Sequence, residues 1–356
     1  MENKKKVLSA VSFVLAVCLI GCGVSQKEKP RWLNLAPGSL VLTDQNYFAI
    51  VYRSDVSFND AIEKGKNELA AKVYNIVHEY LARLAIPIDD DVSFTVRDAL
   101  AKKIKETADA LKSFVELKEK FQQTRPKAFY VLVGIASEQL FSQIAKVLEG
   151  FYEPDYLLKV LQESGDIYRV KVETKYDSEI TAKLVENGFL IDNNRYYASV
   201  VGSATIVSQS SLKALSGPTW SVKGQYVITI KGKKGDVLGR FAGTIGTGVA
   251  NSKPEALDKA VVSSSVDVTN FAQYIPSIKS SIEAYLKERI NKLLKQSDEP
   301  TRLNYANALQ SFEAKDYENT TIYLERCSIF SKEFPQAIIL YLRVKGKLGS
   351  TALTNL

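Results

Sequence analysis

The chain is 356 residues long, with 46% hydrophobic and 24% charged residues, and its 47 basic side chains only slightly outnumber its 40 acidic ones. This balance argues against a nucleic-acid-binding protein, whose cations cluster on one face, because lysines here alternate with glutamates over residues 102–119. One histidine and three cysteines are too few for a disulfide framework or a cysteine zinc site. So long a chain exceeds what one hydrophobic core serves, so two or three domains are expected.

The amino terminus combines charge, an apolar run and a cysteine. Three lysines at residues 4–6 precede an apolar run over residues 7–20, and Gly21 and Cys22 follow. A run of about fourteen residues is too short to span a ~30 Å hydrocarbon core as a permanent helix. Residues 1–21 are therefore predicted to be a signal peptide. The alternatives are a secretory signal with an accidental cysteine behind it, or an uncleaved anchor.

The order Leu19-Ile20-Gly21-Cys22 resembles the lipobox of bacterial lipoproteins. The resemblance implies lipidation of Cys22 by diacylglycerol, cleavage before it, and a lipid bilayer as partner. Two or three acyl chains would hold the protein effectively permanently, since each buried methylene contributes about 0.8 kcal/mol. Gly23 in place of aspartate favours the periplasmic side of an outer membrane, if the host has one. Residues 22–30 would form a lipidated tether.

The first folded unit is expected over residues 31–150. Residues 47–52 are an aromatic and β-branched run typical of a buried strand, and Asp55 or Ser57 can cap the helix after it. That helix has an apolar stripe. A second helix is predicted over 95–111, a strand over 128–135, and a helix from Ser137. Residues 115–121 suit a strand nearly as well as a helix. The apolar stripe of the first helix is Ile62, Leu69, Val73, Ile76 and Tyr80.

A helix of the pattern Ala61-x3-Gly65-x4-Ala70-Ala71, followed later by a Phe-Tyr-Val-Leu-Val strand that runs into a helix, resembles the Lpp-twenty-type lipoprotein family. The N-terminal domain of flagellar assembly protein T is similar too. The resemblance covers roughly residues 31–149, about a third of the chain. It implies that residues 113–122 form a strand that pairs as a hairpin with 127–135. This chain departs from the pattern by lengthening the region between helix and hairpin.

A second unit is expected over residues 165–295. Residues 168–174 predict a strand, Asp177–Glu186 a short helix, and residues 222–231 a hairpin strand that returns after the turn at 232–236. Residues 196–215 are too rich in serine and alanine to choose between strand and helix. A helical region from Ser252, interrupted at Pro276, closes the unit. The arrangement resembles the middle domain of flagellar assembly protein T and periplasmic domains of the curli-secretion lipoprotein type.

The segment Gly243-Thr-Ile-Gly246-Thr-Gly248 is placed between a strand and a helix, where backbone amides can bind phosphate. It matches neither standard phosphate-binding fingerprint, because the lysine of a P-loop is missing and the glycine spacing is reversed. Ser252 with Pro254 and Glu255 explains the same stretch as a capping box at a helix start. The helix start is the favoured interpretation.

Residues 301–348 resemble a degenerate tetratricopeptide repeat, with one helix to Phe312, a turn at residues 315–318, a second helix to Cys327, and another helix from Pro335. One and a half repeats cannot bury a core alone. This hairpin is expected to dock on the second unit or on a partner. Cys327 is expected to be a buried small residue rather than a reactive thiol.

Few residues suggest catalysis. His78 has no second histidine four residues away, so no zincin motif exists, and a partly buried helix position is expected for it. Residues 89–91 are three consecutive aspartates without the spacing of a calcium loop, so a loop with solvated charges is expected. We therefore assign no catalytic, cofactor-binding or metal residue and expect a protein that is not an enzyme.

Together these patterns predict an α+β protein, with two small α+β domains followed by a C-terminal helical hairpin. Function is expected to be binding: a membrane-anchored extracytoplasmic lipoprotein that serves as a structural or assembly factor of a cell-envelope machine, with an envelope protein as partner. The flagellar motor is one candidate. The alternatives are a lipoprotein regulator of cell-wall synthesis and a binder of envelope glycans or small ligands.

Overall fold

The computed structural model describes residues 29–87, 90–163, 165, 167–173, 177–214, 217–263 and 271–351. The chain is α+β, with two sheets joined by helices. The strands are β1 Val41–Leu42, β2 Tyr47–Ser54, β3 Glu116–Thr124, β4 Lys127–Ala136, β5 Arg169–Glu173, β6 Leu190–Ile191, β7 Ala198–Ala214, β8 Gly217–Gly232 and β9 Val237–Ala250. The helices are α1 Phe58–Arg83, α2 Asp91–Leu111, α3 Ser137–Leu148, α4 Pro154–Glu163, α5 Asp177–Glu186, α6 Lys253–Ser263, α7 Ile275–Glu313, α8 Tyr317–Glu325 and α9 Phe334–Thr351.

The first sheet is antiparallel, in the order β1-β2-β4-β3. The hairpin of β3 and β4 closes where Thr124 lies opposite Lys127. Strand β3 covers most of residues 115–121, whose sequence suited a strand nearly as well as a helix, so the strand is confirmed there. Strand β4 is the apolar run predicted over 128–135, and it lies at the centre of the sheet. Helix α3 follows it directly from Ser137, as predicted.

Helix α1 covers one face of the first sheet. Ser57 caps the helix, because its hydroxyl accepts a hydrogen bond from the backbone N–H of Asp60 at 3.1 Å. Gly65 lets the helix approach closely, since an added Cβ would lie 3.2 Å from side-chain atoms of Tyr52 and Val133. The predicted stripe is buried from Leu69 onwards, and only Ile62 is partly exposed.

The opposite face of the first sheet is covered by the amino-terminal segment. Leu35 and Trp32 pack there on a small cluster of the sheet residues Val41, Ala49 and Val51. Along β2, Phe48 and Ile50 therefore point to the helices, while Ala49 and Val51 point to the amino-terminal segment. Both faces of the strand are buried, which explains its unbroken apolar run.

The second sheet has the order β6-β5-β7-β8-β9, with β5 parallel to β6 and β7 and the remaining pairs antiparallel. The ambiguous residues 196–215 are mostly strand β7. It pairs with β5 only over residues 198–201, so its remaining length pairs on one side alone, with β8. We call β7, β8 and β9 together the ribbon. Its outer part extends beyond β5 by roughly 40 Å at ~3.4 Å per residue.

The glycine-rich segment lies inside β9 and does not form a loop before a helix, which corrects the prediction. Helix α6 packs against this strand so closely that a Cβ on Gly248 would lie 1.9 Å from the carbonyl oxygen of Ala256. Val222, Ala250 and Ala256 form a buried cluster between ribbon and helix. The predicted capping of α6 is confirmed, since the Ser252 hydroxyl accepts from the backbone N–H of Glu255 at 3.3 Å.

Helix α7 runs without interruption through Pro300 and so crosses the boundary that the sequence predicted between the second unit, ending at residue 295, and the third, beginning at residue 301. Proline favours a break because it removes one backbone hydrogen bond. Here the loop after α8 is bound to the same stretch of helix. Thr301 accepts from the backbone N–H of Ser328 at 3.0 Å, and the hydroxyls of Ser328 and Ser297 are 2.9 Å apart. This packing outweighs the preference of proline.

The C-terminal helix α9 packs on the first unit, whereas the sequence predicted docking on the second unit or on a partner. A Cβ on Gly346 would lie 2.9 Å from the backbone nitrogen of Leu42, and one on Gly349 would lie 2.3 Å from the carbonyl oxygen of Leu40. The two glycines thus let the helix touch the edge strand β1. Strand β1, near the start of the described chain, and helix α9, at its other end, consequently share one continuous hydrophobic core.

Candidate functional site

The start of helix α2 presents two carboxylates to the second unit. Asp90 and Asp91 are only 8% and 7% exposed. Asp90 caps the helix, because its carboxylate accepts from the backbone N–H of Ser93 at 3.3 Å and from its hydroxyl at 2.7 Å. The helix therefore begins at Asp91, one turn earlier than the predicted Thr95.

The second unit supplies the partners of these carboxylates. Lys233, in the turn between β8 and β9, forms an ion pair with Asp91, and Arg289 of α7 lies 3.9 Å from Asp90. One turn along α2, the buried hydroxyl of Tyr197 lies 2.6 Å from that of Thr95. We call this set the charged junction. Buried carboxylates need such partners, because an isolated buried charge is strongly destabilising.

The charged junction corrects one prediction. Asp90 and Asp91 were expected in a loop with solvated charges, but both are buried and paired; Asp89 lies outside the described residues. The sequence carries no signal for this pairing, since Asp91 and Lys233 are 142 positions apart.

A cleft of about 190 Å³ opens beside the junction and is lined by Asp91, Tyr196, Tyr197, Lys233, Tyr285 and Arg289, among others. Typical small-molecule pockets measure about 300–1,000 Å³, so this one fits a small group, such as a single sugar ring or an anion. Lys233 and Arg289 already face carboxylates. These two cations therefore contact carboxylates across the two units, and the tyrosines form part of the cleft lining.

An aromatic cluster joins helix α1 to the C-terminal helices. Tyr80 is fully buried, and its ring stacks on Tyr341 at a centroid distance of 4.6 Å and on Phe334 at 5.7 Å. Its hydroxyl donates to the carbonyl oxygen of Leu324 at 2.8 Å. Burial raises the pKa of Tyr80 well above its usual range. The sequence placed Tyr80 on a buried stripe but did not indicate what it contacts.

Glu79 lies at the rim of this aromatic cluster. Its carboxylate accepts from Lys345 at 3.0 Å and from the Tyr341 hydroxyl at 3.3 Å, and it is 3.1 Å from Arg83. Burial by itself would raise the pKa of Glu79, but the lysine, the arginine and the tyrosine outweigh it and hold the pKa below its ordinary value. The rim thus adds an electrostatic contact to the apolar one.

The other residues singled out by sequence lie apart. His78 is exposed on α1, not partly buried as predicted, and its ring is 5.9 Å from that of Tyr74. Cys327 is buried as predicted, just after α8, and burial raises the pKa of its thiol to about 12. Among the described residues no group of three or more histidine, cysteine or acidic side chains is placed to hold a metal ion. Cys22, the predicted lipidation site, lies outside them.

Over the described residues, the fold is that of an α+β protein with two sheets. No protein-family model matches its sequence, and no curated protein matches it significantly. Within the part of the chain that the structure describes, every helix falls short of the length or apolar character that crossing a bilayer requires.

Proposed function

We propose that the protein is a membrane-anchored extracytoplasmic lipoprotein that acts by binding, as a structural or assembly factor of a cell-envelope machine. The observation that carries this proposal is the Leu19-Ile20-Gly21-Cys22 motif behind three lysines and a short apolar run. Acyl chains on Cys22 would hold the folded units at a membrane surface, on the periplasmic side of an outer membrane where the host has one. An envelope protein is the proposed partner.

The build of the folded part supports a binding role. The units are joined through the charged junction and the aromatic cluster, while the ribbon projects from the second sheet. The hairpin of α7 and α8 exposes two large aliphatic side chains, Leu303 at 63% and Ile322 at 39%. We propose that these two side chains contribute to the apolar centre of a partner interface.

Acylation is tested by comparing the native protein with its Cys22→Ser variant in the native host. We expect metabolic labelling with radioactive palmitate in the native protein and none in the variant. The membrane fraction should contain the native protein only in its labelled form. Equal labelling of both forms would refute the proposal.

The binding role is tested by photo-cross-linking in living cells. A photoreactive residue at Leu303 should give one discrete adduct with an envelope protein, and the adduct should be lost in the Cys22→Ser background. The matched control is the same residue at Glu63, whose side chain is 72% exposed on α1. Adducts that are absent, or identical at both positions, would contradict the assembly role.

A second candidate, binding of an envelope glycan, is favoured by the tyrosines that line the small cleft. Tyr196 and Tyr285 are both partly buried there, and aromatic rings with nearby polar groups suit a sugar ring. Titration with cell-wall glycan fragments would support this candidate if binding weakened in Tyr285→Ala and not in Tyr317→Ala. Equal binding by both variants would remove it.

A further inference from the structure

The ribbon is unusually one-sided in charge. Between Arg195 and Glu255 the sequence contains a single acidic residue, Asp236. The basic residues between the same two positions are Lys213, Lys223, Lys231, Lys233, Lys234, Arg240 and Lys253. Elsewhere the chain mixes the two signs, as on α2, where Lys102 and Lys105 alternate with Asp98 and Glu106.

Three of these cations share one face of the ribbon. Strand pairing places Lys231 opposite Ser199, Arg240 opposite Thr229, and Lys223 between Ser208 and Thr247. Because alternate residues of a strand point to the same side, the three side chains project from one surface, which we call the outer face. On the opposite face, the β8 residues Val222, Tyr226, Ile228 and Ile230 are buried against α6 and α7.

The cations of the outer face are uncompensated. None of Lys223, Lys231 and Arg240 forms an ion pair with a residue that the structure describes. This distinguishes them from Lys233, which is held by Asp91 in the charged junction. Uncompensated charges of one sign add up to a positive potential over the whole face.

Much of the outer face is also exposed and hydroxyl-rich, although Thr229 on the central strand β8 is only 8% exposed. Ser203, Thr205 and Thr247 are exposed on it, and Val249 is 51% exposed. Hydroxyls can donate to phosphate oxygens, and aliphatic side chains gain by leaving water for the boundary of a lipid layer.

We propose that the outer face of the ribbon lies on an anionic lipid surface. Negative headgroups match the uncompensated cations, with each lysine or arginine near the surface strengthening binding by about fivefold. The exposed side chain of Val249 favours a lipid layer over a soluble polyanion, which offers no apolar region for it to enter. The inference goes beyond the proposed function, because a chain without acyl groups would use the same face.

A probe on the ribbon tests the contact directly. Val249→Cys, opposite Ser221 on the outer face, would carry an environment-sensitive fluorophore, since Cys327 is buried and burial raises the pKa of its thiol to about 12. The protein, purified from membranes, is reconstituted into phosphatidylethanolamine vesicles with or without phosphatidylglycerol. We expect a blue shift of the emission only with phosphatidylglycerol. It should be lost at about 1 M salt, where the Debye length falls to about 3 Å.

Charge removal with a matched control identifies the face. Neutralising Lys223, Lys231 and Arg240 to glutamine should weaken docking by about a hundredfold, from about fivefold for each charge. The control neutralises Lys102, Lys105 and Lys295, which are exposed and remove the same net charge. It should keep the blue shift. Thermal unfolding followed by circular dichroism verifies that both triple variants remain folded.

Each other outcome overturns the proposal. A blue shift without phosphatidylglycerol, or one that survives in the outer-face variant, would exclude charge-dependent lipid binding. A response to soluble polyphosphate but not to vesicles would assign the face to a polyanionic polymer. No response at all would leave the ribbon away from the membrane. The wild-type protein, treated with the fluorophore, reports a free Cys22 separately, so failure of acylation is distinguished from failure of this inference.

Discussion

The first sheet and the ribbon differ in how their faces are covered. In the first sheet, helix α1 packs on one face and the segment around Trp32 and Leu35 on the other. In the ribbon, helices cover only the inner face, and the outer face carries exposed serine, threonine and lysine side chains. Burial therefore dominates the first unit, whereas surface chemistry dominates the ribbon. Stability should depend on the former more than on the latter.

The largest effect is expected at the aromatic cluster. Tyr80→Ala should lower the free energy of unfolding by about 3–5 kcal/mol, because it removes a fully buried ring. Tyr80→Phe keeps the ring and removes only the hydrogen bond to Leu324, so it should cost about 1 kcal/mol. Urea unfolding followed by circular dichroism measures both. A loss below about 1 kcal/mol in Tyr80→Ala would show that the C-terminal helices do not depend on this contact.

The charged junction should contribute less to the free energy of unfolding than the aromatic cluster does. Asp91→Asn should destabilise the protein by about 1.5–3 kcal/mol, because a buried, charge-assisted contact with Lys233 is lost. The control is Asp98→Asn, whose side chain is 53% exposed and pairs with Arg97 and Arg195. It should cost less than about 1 kcal/mol. Equal effects in urea unfolding would contradict a structural role for the junction.

The close contact between β9 and α6 is tested by a pair of glycines. Gly248→Ala should destabilise by about 1–3 kcal/mol, because the new methyl group would overlap the backbone of α6. Gly243→Ala has nothing within 4 Å of the added Cβ, so it should be close to neutral. Thermal unfolding compares the two variants. If both variants were neutral, close packing against α6 would not explain the glycine at position 248.

The smallest effect is expected at the rim of the aromatic cluster, and it depends on pH. The folded state lowers the pKa of Glu79 from its ordinary 4.5, so its stabilising effect is present above that value and is lost as pH falls through the lower, folded-state value. Glu79→Gln should therefore cost less than about 1 kcal/mol at neutral pH and nothing in strong acid. Lys345→Gln should reproduce this pH dependence of unfolding. A cost independent of pH would exclude the ion pair as its source.

The difference in how the sheet faces are buried also explains which strands could be predicted from the sequence. Strand β4 is buried on both faces and has an unbroken apolar run, and the inner residues of β8 alternate with polar ones. Both patterns were predicted as strands. Strand β7 was left ambiguous because its outer half carries small and polar residues on both sides, and nothing there repeats with a clear period.

The candidate sites were less predictable because they depend on contacts between distant segments. Asp91 meets Lys233, and Tyr80 meets Tyr341, only after the two units and the C-terminal helices have packed. A boundary between residues 295 and 301 was predicted, and the contacts of Ser297 and Thr301 with the loop after α8 explain why the helix is continuous there. The uneven charge of residues 196–254, by contrast, is visible in the sequence itself and would have indicated the outer face.

We propose that acyl chains on Cys22 hold these units at a membrane. Mass spectrometry of the amino-terminal peptide, taken from protein purified from host membranes, tests it most directly. We expect a peptide that begins at Cys22 and carries the added mass of a diacylglyceryl group on the thiol. A peptide that begins at Met1, or one that contains an unmodified Cys22, would contradict it.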